Sequence, residues 1–205
     1  LYGVNDWLTV HIGRSGFQET YDLAAKYRLY AQKENGFPVT IVGFNSVAIN
    51  SELKEEDFPK LQFENRLSYV AQVLISRKFS EKLSLEIAPS VFHENTLRDL
   101  LDDNNALILP NPQDNTQFAI GLGGRYKLTN RWSVNVDYAA HLNRASQSNY
   151  KNPLSIGVDL ETGGHVFQMH FTNAQAMHET GYLGQTVGDW SKGEFGFGFN
   201  LVRVF

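Results

Sequence analysis

Apolar and polar residues alternate with a period of two along most of the chain. This pattern predicts β-strands, because successive side chains of a strand point to opposite faces of the sheet. Within residues 132–138, the apolar side chains share one face, and Ser133, Asn135 and Asp137 share the other. Helical periodicity is nearly absent. The pattern predicts about ten strands, at residues 6–14, 18–31, 37–50, 62–79, 82–93, 115–128, 131–142, 153–162, 164–174 and 193–205.

The connections between these strands alternate between short and long. The short ones are residues 3–6, 34–36, 80–81, 129–130 and 162–163, and the long ones are residues 50–61, 94–114, 143–152 and 175–192. A tight turn predicted at residues 15–16 breaks the rule, because it falls on the long-loop side. Outer-membrane barrels have short periplasmic turns and longer external loops, whereas soluble sandwiches mix both lengths at both ends. The alternation therefore favours a membrane β-barrel.

Aromatic residues lie beside the short turns. They are Trp7, Phe37, Phe79, Tyr126 and Trp132. Aromatic side chains gather where a barrel meets the bilayer interface, so we expect these five to form an interfacial girdle. The last predicted strand ends in Phe205, which resembles the assembly signal of bacterial outer-membrane proteins. Counting the connections puts this terminus on the short-turn, periplasmic side.

The overall composition looks like that of a soluble protein, with 42% hydrophobic, 13% aromatic and 20% charged residues. The absence of cysteine excludes disulfides and thiolate metal sites. A formal net charge of −4 offers no basic surface for nucleic acid. No apolar run approaches the roughly 18–20 residues of a transmembrane helix. These observations do not exclude a chain that crosses the membrane with β-strands, since only every second residue of such a strand faces lipid.

A soluble barrel with an inward apolar face, such as a lipocalin-like calyx, would show the same alternation. The glycines favour the membrane barrel, because most of them lie opposite the large apolar residues. They are Gly121, Gly123, Gly157, Gly196 and Gly198. Small residues on a crowded inner face permit strong curvature in a narrow barrel. We therefore predict an all-β fold, an antiparallel up-and-down transmembrane β-barrel.

Residues 3–15, 161–173 and 197–205 resemble a Bacteroidota-type family of outer-membrane β-barrels of uncharacterised function. The resemblance implies a barrel fold, a location in the bacterial outer membrane, an N-terminal hairpin region absent here, and no assigned catalytic residues. Residues 1–10 have the pattern of one strand's end, a turn and the next strand. Since barrel strand numbers are even as a rule, ten strands and a missing hairpin give about twelve. We expect residues 1–205 to be a single barrel domain without its N-terminal strand or hairpin and its signal peptide.

If the apolar face meets lipid, the polar face lines the lumen. The predicted lining residues are Lys26, Arg28, Arg66, Gln72, Glu86, Arg125, Lys127, Asp137, Asp159, Glu161, Gln168 and His170. Charges of both signs are present, and in a narrow barrel opposite charges can pair across the interior. Two interpretations stay open: a porin-like channel for small polar solutes, and a plugged structural or scaffolding barrel that is a subunit of a larger envelope complex.

The histidines do not predict a metal site. His165 and His170 are five residues apart, so on one strand they point to opposite faces and cannot share an ion. We expect no metal and no cofactor. His141 lies near Ser146 and Ser148 in sequence, but this proximity lacks a third orienting group, so we expect no enzymatic activity.

Two long loops carry the remaining expectations. Residues 94–114 are unusually apolar for a solvated loop, so we expect a short helix from about Asn95 to Leu101 that folds over the mouth or docks on another protein. A second helical turn is expected at residues 174–180. The expected partners are outer-membrane lipid and envelope proteins that bind through loops 94–114 and 175–192, with no nucleic acid.

Overall fold

A computed structural model describes residues 1–56, 60–97, 100–101, 107–109 and 113–203. Within these residues the chain forms one antiparallel sheet of eleven strands, in which each strand pairs with its neighbours in sequence order. A separate two-stranded hairpin sits in one loop. The predicted all-β, up-and-down architecture is confirmed. No helix in the described residues is both long and apolar enough to cross a membrane.

The eleven strands of the main sheet have the following bounds. They are β1 (Tyr2–Gly3), β2 (Leu8–Arg14), β3 (Tyr21–Tyr30), β4 (Thr40–Ile49), β5 (Leu67–Lys78), β6 (Leu83–Glu94), β9 (Thr116–Lys127), β10 (Trp132–His141), β11 (Leu154–Glu161), β12 (His165–Thr172) and β13 (Gly196–Arg203). The separate hairpin pairs β7 (Leu100–Leu101) with β8 (Leu107–Leu109). Tyr2 and Gly3 pair with Val10 and Thr9, so the strand end expected at the start of the chain is present as β1.

Short and long connections alternate as predicted, with two corrections. The chain turns at residues 34–36 as predicted, but pairing of β3 with β4 stops at Tyr30 and Ile41, so the connection between these strands extends over residues 31–39. The connection at residues 15–20 is not a two-residue turn. It contains the 3₁₀ turn Phe17–Glu19, in which the Thr20 hydroxyl donates a hydrogen bond to the carbonyl of Phe17 at 2.9 Å.

The prediction of a helix over residues 95–101 is wrong at its C-terminal end, because Leu100 and Leu101 pair with Leu109 and Leu107 in the hairpin. The second helical turn exists but lies later in the chain than predicted. It is α1 (Glu179–Gly184), in the long connection between β12 and β13. Further 3₁₀ turns lie at Phe63–Arg66 and Trp190–Lys192.

The two faces of the sheet have opposite character. On the outer face large apolar side chains are exposed, including Ile12 at 79% and Phe197 at 62% of their surface. On the inner face Ala24, Ser133 and Asp159 are buried. The sheet curves around this inner face, since Lys26 of β3, Arg125 of β9 and Asn200 of β13 line one cavity. A soluble calyx would have the reverse arrangement, so the soluble alternative is wrong.

Candidate functional site

Strand register places alternate residues of every long strand on the inner face. Some of these residues line an open cavity of about 770 Å³, called here the lumen cavity. Its wall is polar. The lining residues are Lys26, Glu86, Arg125, Asn135, Asp137, Ser155, Gly157, Asp159, Gln168, Met169, His170 and Asn200. Seven of the predicted lumen residues are therefore brought together: Lys26, Glu86, Arg125, Asp137, Asp159, Gln168 and His170.

Of the other five predicted lumen residues, Gln72 is on the inner face of β5, where its amide donates a hydrogen bond to the Ser90 hydroxyl at 2.9 Å, and four lie elsewhere. Arg28, Lys127 and Glu161 are at the short-turn ends of β3, β9 and β11, beyond the wall of the lumen cavity. Arg66 is in the turn that precedes β5, at the long-loop end. Its guanidinium donates hydrogen bonds to the carbonyls of Asn50 and Ser51 at 3.4 and 3.5 Å. It therefore holds a loop in place and does not form part of the lumen cavity wall.

Some of the inner charges form ion pairs. The Arg125 guanidinium lies 3.9 Å from the carboxylate of Asp159, and it also donates a hydrogen bond to the hydroxyl of Ser133 at 3.0 Å. His11 lies 3.0 Å from the carboxylate of Asp22. Among the described residues, Lys26 makes no ion pair within 4.0 Å, although it lines the same cavity as Glu86. Both pairs join strands that are adjacent or one strand apart, so they run along the wall and do not cross the interior.

The connection between β12 and β13, residues 173–195, is called here the inserted segment and occupies part of the interior at the long-loop end. Its helix α1 lies inside the sheet, in contact with β5, β6 and β10. Leu183 is buried to 2% exposure against an apolar patch on the inner face. The patch consists of Val70, Phe92, Ala119 and Ala139, with Phe44 at its margin.

Hydrogen bonds join the inserted segment to the wall on several sides. Gln185 and Gln117 both donate to the carboxylate of Glu94 at the end of β6, Gln117 at 2.9 Å. The Thr180 and Ser68 hydroxyls are 3.1 Å apart. Tyr182 donates its hydroxyl hydrogen to the carboxylate of Asp137 on β10. These bonds satisfy polar groups that burial would otherwise leave unpaired.

The loop between β2 and β3 also reaches the inserted segment. The side-chain amide of Gln18 donates to the side-chain oxygen of Gln185 at 2.6 Å and accepts from Asn50 at 3.2 Å. Gln18 has φ 55°, in the left-handed region that non-glycine residues seldom occupy. This backbone conformation coincides with the place where the loop meets the inserted segment.

Three buried titratable groups in and next to α1 have pKa values shifted by their surroundings. Burial lowers the pKa of His178, partly opposed by Asp22. Burial raises the pKa of Glu179, and Asp22 adds to this effect while His11 and the Ser46 hydroxyl oppose it. Burial and the neighbouring Asp137 raise the pKa of Tyr182. Burial in this position thus shifts each of the three groups towards its uncharged form.

The two ends of the inserted segment are fixed to the barrel. The side-chain amide of Asn173 donates to the carbonyls of Asn152 and Gly188 at 3.1 and 2.9 Å. The indole of Trp190 donates to the carbonyl of Leu154 at 3.0 Å. Gly193 ends the final 3₁₀ turn with φ 75°, a conformation that glycine adopts without steric cost.

A second cavity of about 470 Å³, called here the side cavity, lies between the inserted segment and β11–β13. Its wall includes residues 174–177 of the inserted segment, Tyr182, and residues 196–200 of β13. Ser155, His170 and Asn200 line both the side cavity and the lumen cavity. The two cavities therefore adjoin each other on the side of the barrel that α1 does not fill.

Sequence reasoning missed the inserted segment and several inner residues, among them His11, Asp22, Glu94, Gln117 and Asn200. One signal was present. Val70 and Phe92 are apolar yet lie at inner-face positions of β5 and β6, which breaks the expected polar pattern. An apolar inner patch requires an apolar partner inside the barrel.

The aromatic residues beside the short turns are all exposed, as a girdle requires. Trp7, Phe37, Phe79, Tyr126 and Trp132 expose between 40% and 56% of their surface. Phe205, the predicted assembly signal, lies outside the described residues. His170 faces the lumen cavity, and His165, five positions earlier, is on the opposite face. The described residues contain no group of three or more His, Asp or Glu side chains placed to hold a metal ion.

An antiparallel sheet with an apolar outer face, a polar inner face and exposed aromatic residues beside its short turns defines a membrane β-barrel of the outer-membrane class. The chain belongs to the family described as "Membrane bound beta barrel domain (DUF5777)", which matches it over residues 1–205. The resemblance found in the sequence is thereby confirmed.

The fold is also similar to that of a solved structure, the NanC porin in a rhombohedral crystal form. The similarity has a TM-score of 0.61 and covers 100% of this chain and 89% of the other, at 9% sequence identity. At this identity the likeness concerns the fold alone. Comparison with curated proteins gives no match.

Proposed function

We propose that the protein is a porin-like channel that lets small polar solutes cross the outer membrane passively. The observation that carries this proposal is the shared wall of the two cavities, formed by Ser155, His170 and Asn200. A solute in the lumen cavity can thus reach the side cavity without displacing α1. Met177, which lines the side cavity, is 80% exposed, so this route extends to the surface at the long-loop end.

The lining favours polar over apolar solutes. Carboxylates, a guanidinium, an ammonium and amides offer donors and acceptors of both signs, which replace part of a solute's hydration. The proposed activity contains no catalytic step. In the proposed orientation the short turns and the C-terminus face the periplasm, because outer-membrane barrels keep their short turns on that side.

Single-channel recording of the purified protein in planar bilayers tests this proposal, together with swelling of proteoliposomes in small sugars. We expect discrete conductance steps. Asn200→Trp should reduce conductance, because Asn200 lies on the wall that both cavities share. Leu201→Trp is the matched control. Leu201 is the next residue along β13, and its side chain is on the outer face and 55% exposed. Absence of channels from the folded wild-type protein would refute the proposal.

A second candidate is a structural or scaffolding barrel within an envelope complex. The observation that favours it is the close packing of the inserted segment, in which Thr180, Leu183 and Thr186 are all at most 3% exposed. The proposed partner surfaces are loops 94–114 and 175–192. In the second loop, Met177 and Val187 are the exposed apolar side chains available to a partner. A folded barrel that gives no channels but migrates in a defined complex on native gels would favour this candidate.

A further inference from the structure

Tyr182 lies at the boundary between the lumen cavity and the side cavity. Its ring is part of the wall of the side cavity, and its hydroxyl is bonded to Asp137, which is part of the wall of the lumen cavity. Asp137 pairs in register with Ser155 of the next strand, and Ser155 lines both cavities. The phenol therefore extends from α1 to the wall at the level where one cavity meets the other.

The position of Tyr182 is fixed at its backbone and on its ring. Its amide donates to the carbonyl of His178 at 3.0 Å, and its carbonyl accepts from the hydroxyl of Thr186 at 3.0 Å. The side chain packs against the cluster formed by the apolar inner patch and Leu183. A large side chain that is fixed by its backbone and by its packing limits the width of the passage between the two cavities, because packed interiors deform little.

We infer that Tyr182 is the residue that sets the size limit for solutes in this barrel, and that Asp137 is its positioning residue. The inference rests on the proposed function. Asp137 fixes the direction of the phenol through a charge-assisted hydrogen bond, which is shorter and stronger than a bond between neutral groups. The ring then defines the free space left between α1 and β11–β13.

Removal of the ring tests the first half of the inference. Tyr182→Ala should raise single-channel conductance by about twofold or more and admit larger sugars in liposome swelling, since a wider constriction conducts more. Tyr69→Ala is the matched control, because Tyr69 is on the outer face of β5 and 41% exposed. Heat-modifiable migration on gels establishes that each variant is folded.

Removal of the acceptor tests the second half. Asp137→Ala should leave the ring in place but mobile, so current noise in the open state rises and the size limit becomes less sharp. Asp137→Asn retains an acceptor oxygen and should restore quiet openings and the wild-type size limit, while it changes ion selectivity. A change in charge alone would affect both variants equally. This pair also keeps the inference testable if Tyr182→Ala does not fold.

The outcomes separate the inference from the proposed function. Wild-type channels whose conductance and size limit are the same in Tyr182→Ala and Asp137→Ala would overturn the inference and leave the channel proposal standing. Folded wild-type protein without channels would refute the channel proposal, and the inference with it. Two results together would support the inference and the channel proposal. Tyr182→Ala would admit larger solutes than wild type, and Asp137→Asn would show the quiet openings and the size limit of wild type that Asp137→Ala loses.

Discussion

Gln185, one residue beyond α1, donates a hydrogen bond to the carboxylate of Glu94 at the end of β6. The two residues are 91 positions apart in the chain. Gln117 of β9 donates to the other oxygen of the same carboxylate at 2.9 Å. A single buried carboxylate thus links two neighbouring strands of the barrel wall to the inserted segment.

Loss of this carboxylate should release the inserted segment. Glu94→Ala leaves the buried amide of Gln117 and the half-buried amide of Gln185 without this acceptor, and an unpaired buried polar group costs about 1–3 kcal/mol. We expect faster hydrogen–deuterium exchange in α1, without loss of the barrel. Glu94→Gln is the control, because its amide oxygen still accepts one bond. Equal protection of α1 in Glu94→Ala and wild-type protein would contradict this prediction.

The apolar contact beneath α1 should contribute more than the hydrogen bonds around it. Leu183→Ala removes a side chain that is 2% exposed against Phe92 and Val70, and such truncations cost about 2–5 kcal/mol. We expect a protease to cut the inserted segment in this variant under conditions where the wild-type segment resists. Met177→Ala, at a position that is 80% exposed in the same segment, should leave the cleavage rate unchanged.

The residues of the barrel wall could be predicted from the sequence, but the docking of the inserted segment inside the barrel could not, and the reason is physical. The direction of each strand residue follows from a local period of two, so the inner placement of Lys26, Glu86 and Asp159 could be deduced from neighbouring residues alone. Docking of α1 depends on contacts between distant parts of the chain. Nothing local to Gln185 indicates Glu94 as its partner, and Phe92 signals only that something apolar lies inside.

The boundaries of the connections show the same limit on a smaller scale. The predicted two-residue turn at residues 15–16 followed from the end of one alternating run and the start of the next. The structure needs six residues there, because Gln18 turns inward to bond Gln185 and Asn50. Contact with the inserted segment, rather than local turn chemistry, sets the length of that loop.

The close approach of β11 and β12 at Gly157 should make this glycine hard to replace. A Cβ at this position would lie 2.8 Å from the backbone carbonyl oxygen of Met169, which cannot rotate away. Gly157→Ala should therefore destabilise the barrel by about 1–3 kcal/mol, as overpacking does. Urea unfolding of the refolded protein in detergent measures this change. Gly196→Ala, on the same inner face with no atom within 4 Å of the added Cβ, should unfold like wild type.

Docking of the inserted segment should depend on pH in opposite senses at two adjacent residues. The pKa of His178 is lowered from 6.5, so the released segment binds more protons at this residue, and docking weakens as the pH falls below about 6.5. The pKa of Glu179 is raised from 4.5, so its contribution is fully present below that pH and is lost as the pH rises through the raised value.

Single variants, each made in a Glu94→Gln background so that the carboxyl bonded to Gln185 does not titrate, separate the two effects. In Glu179→Gln only His178 of this pair titrates, and a change from about pH 7 to about pH 5 should weaken docking. In His178→Asn only Glu179 of this pair titrates, and the same change should strengthen docking. Hydrogen–deuterium exchange of α1, corrected for intrinsic exchange rates, measures both. Asp22 and His11 also face this pair, so Asp22→Asn should reduce the upward shift at Glu179. Responses of the same sign in the two variants would contradict the assignment.

Ion selectivity should follow the charges on the wall of the lumen cavity. Lys26 and Arg125 are its basic residues, and Glu86, Asp137 and Asp159 are its carboxylates. Lys26→Glu would leave one basic group facing four carboxylates, so cations should be favoured because a ring of carboxylates lowers the energy of a cation in a narrow pore. We expect the K⁺ over Cl⁻ permeability ratio, from reversal potentials in a salt gradient, to rise roughly threefold or more.

Lys33→Glu carries the same charge change in the exposed β3–β4 turn and should shift the ratio far less. Equal shifts in the two variants would mean that permeating ions sense the net charge of the protein and do not pass Lys26.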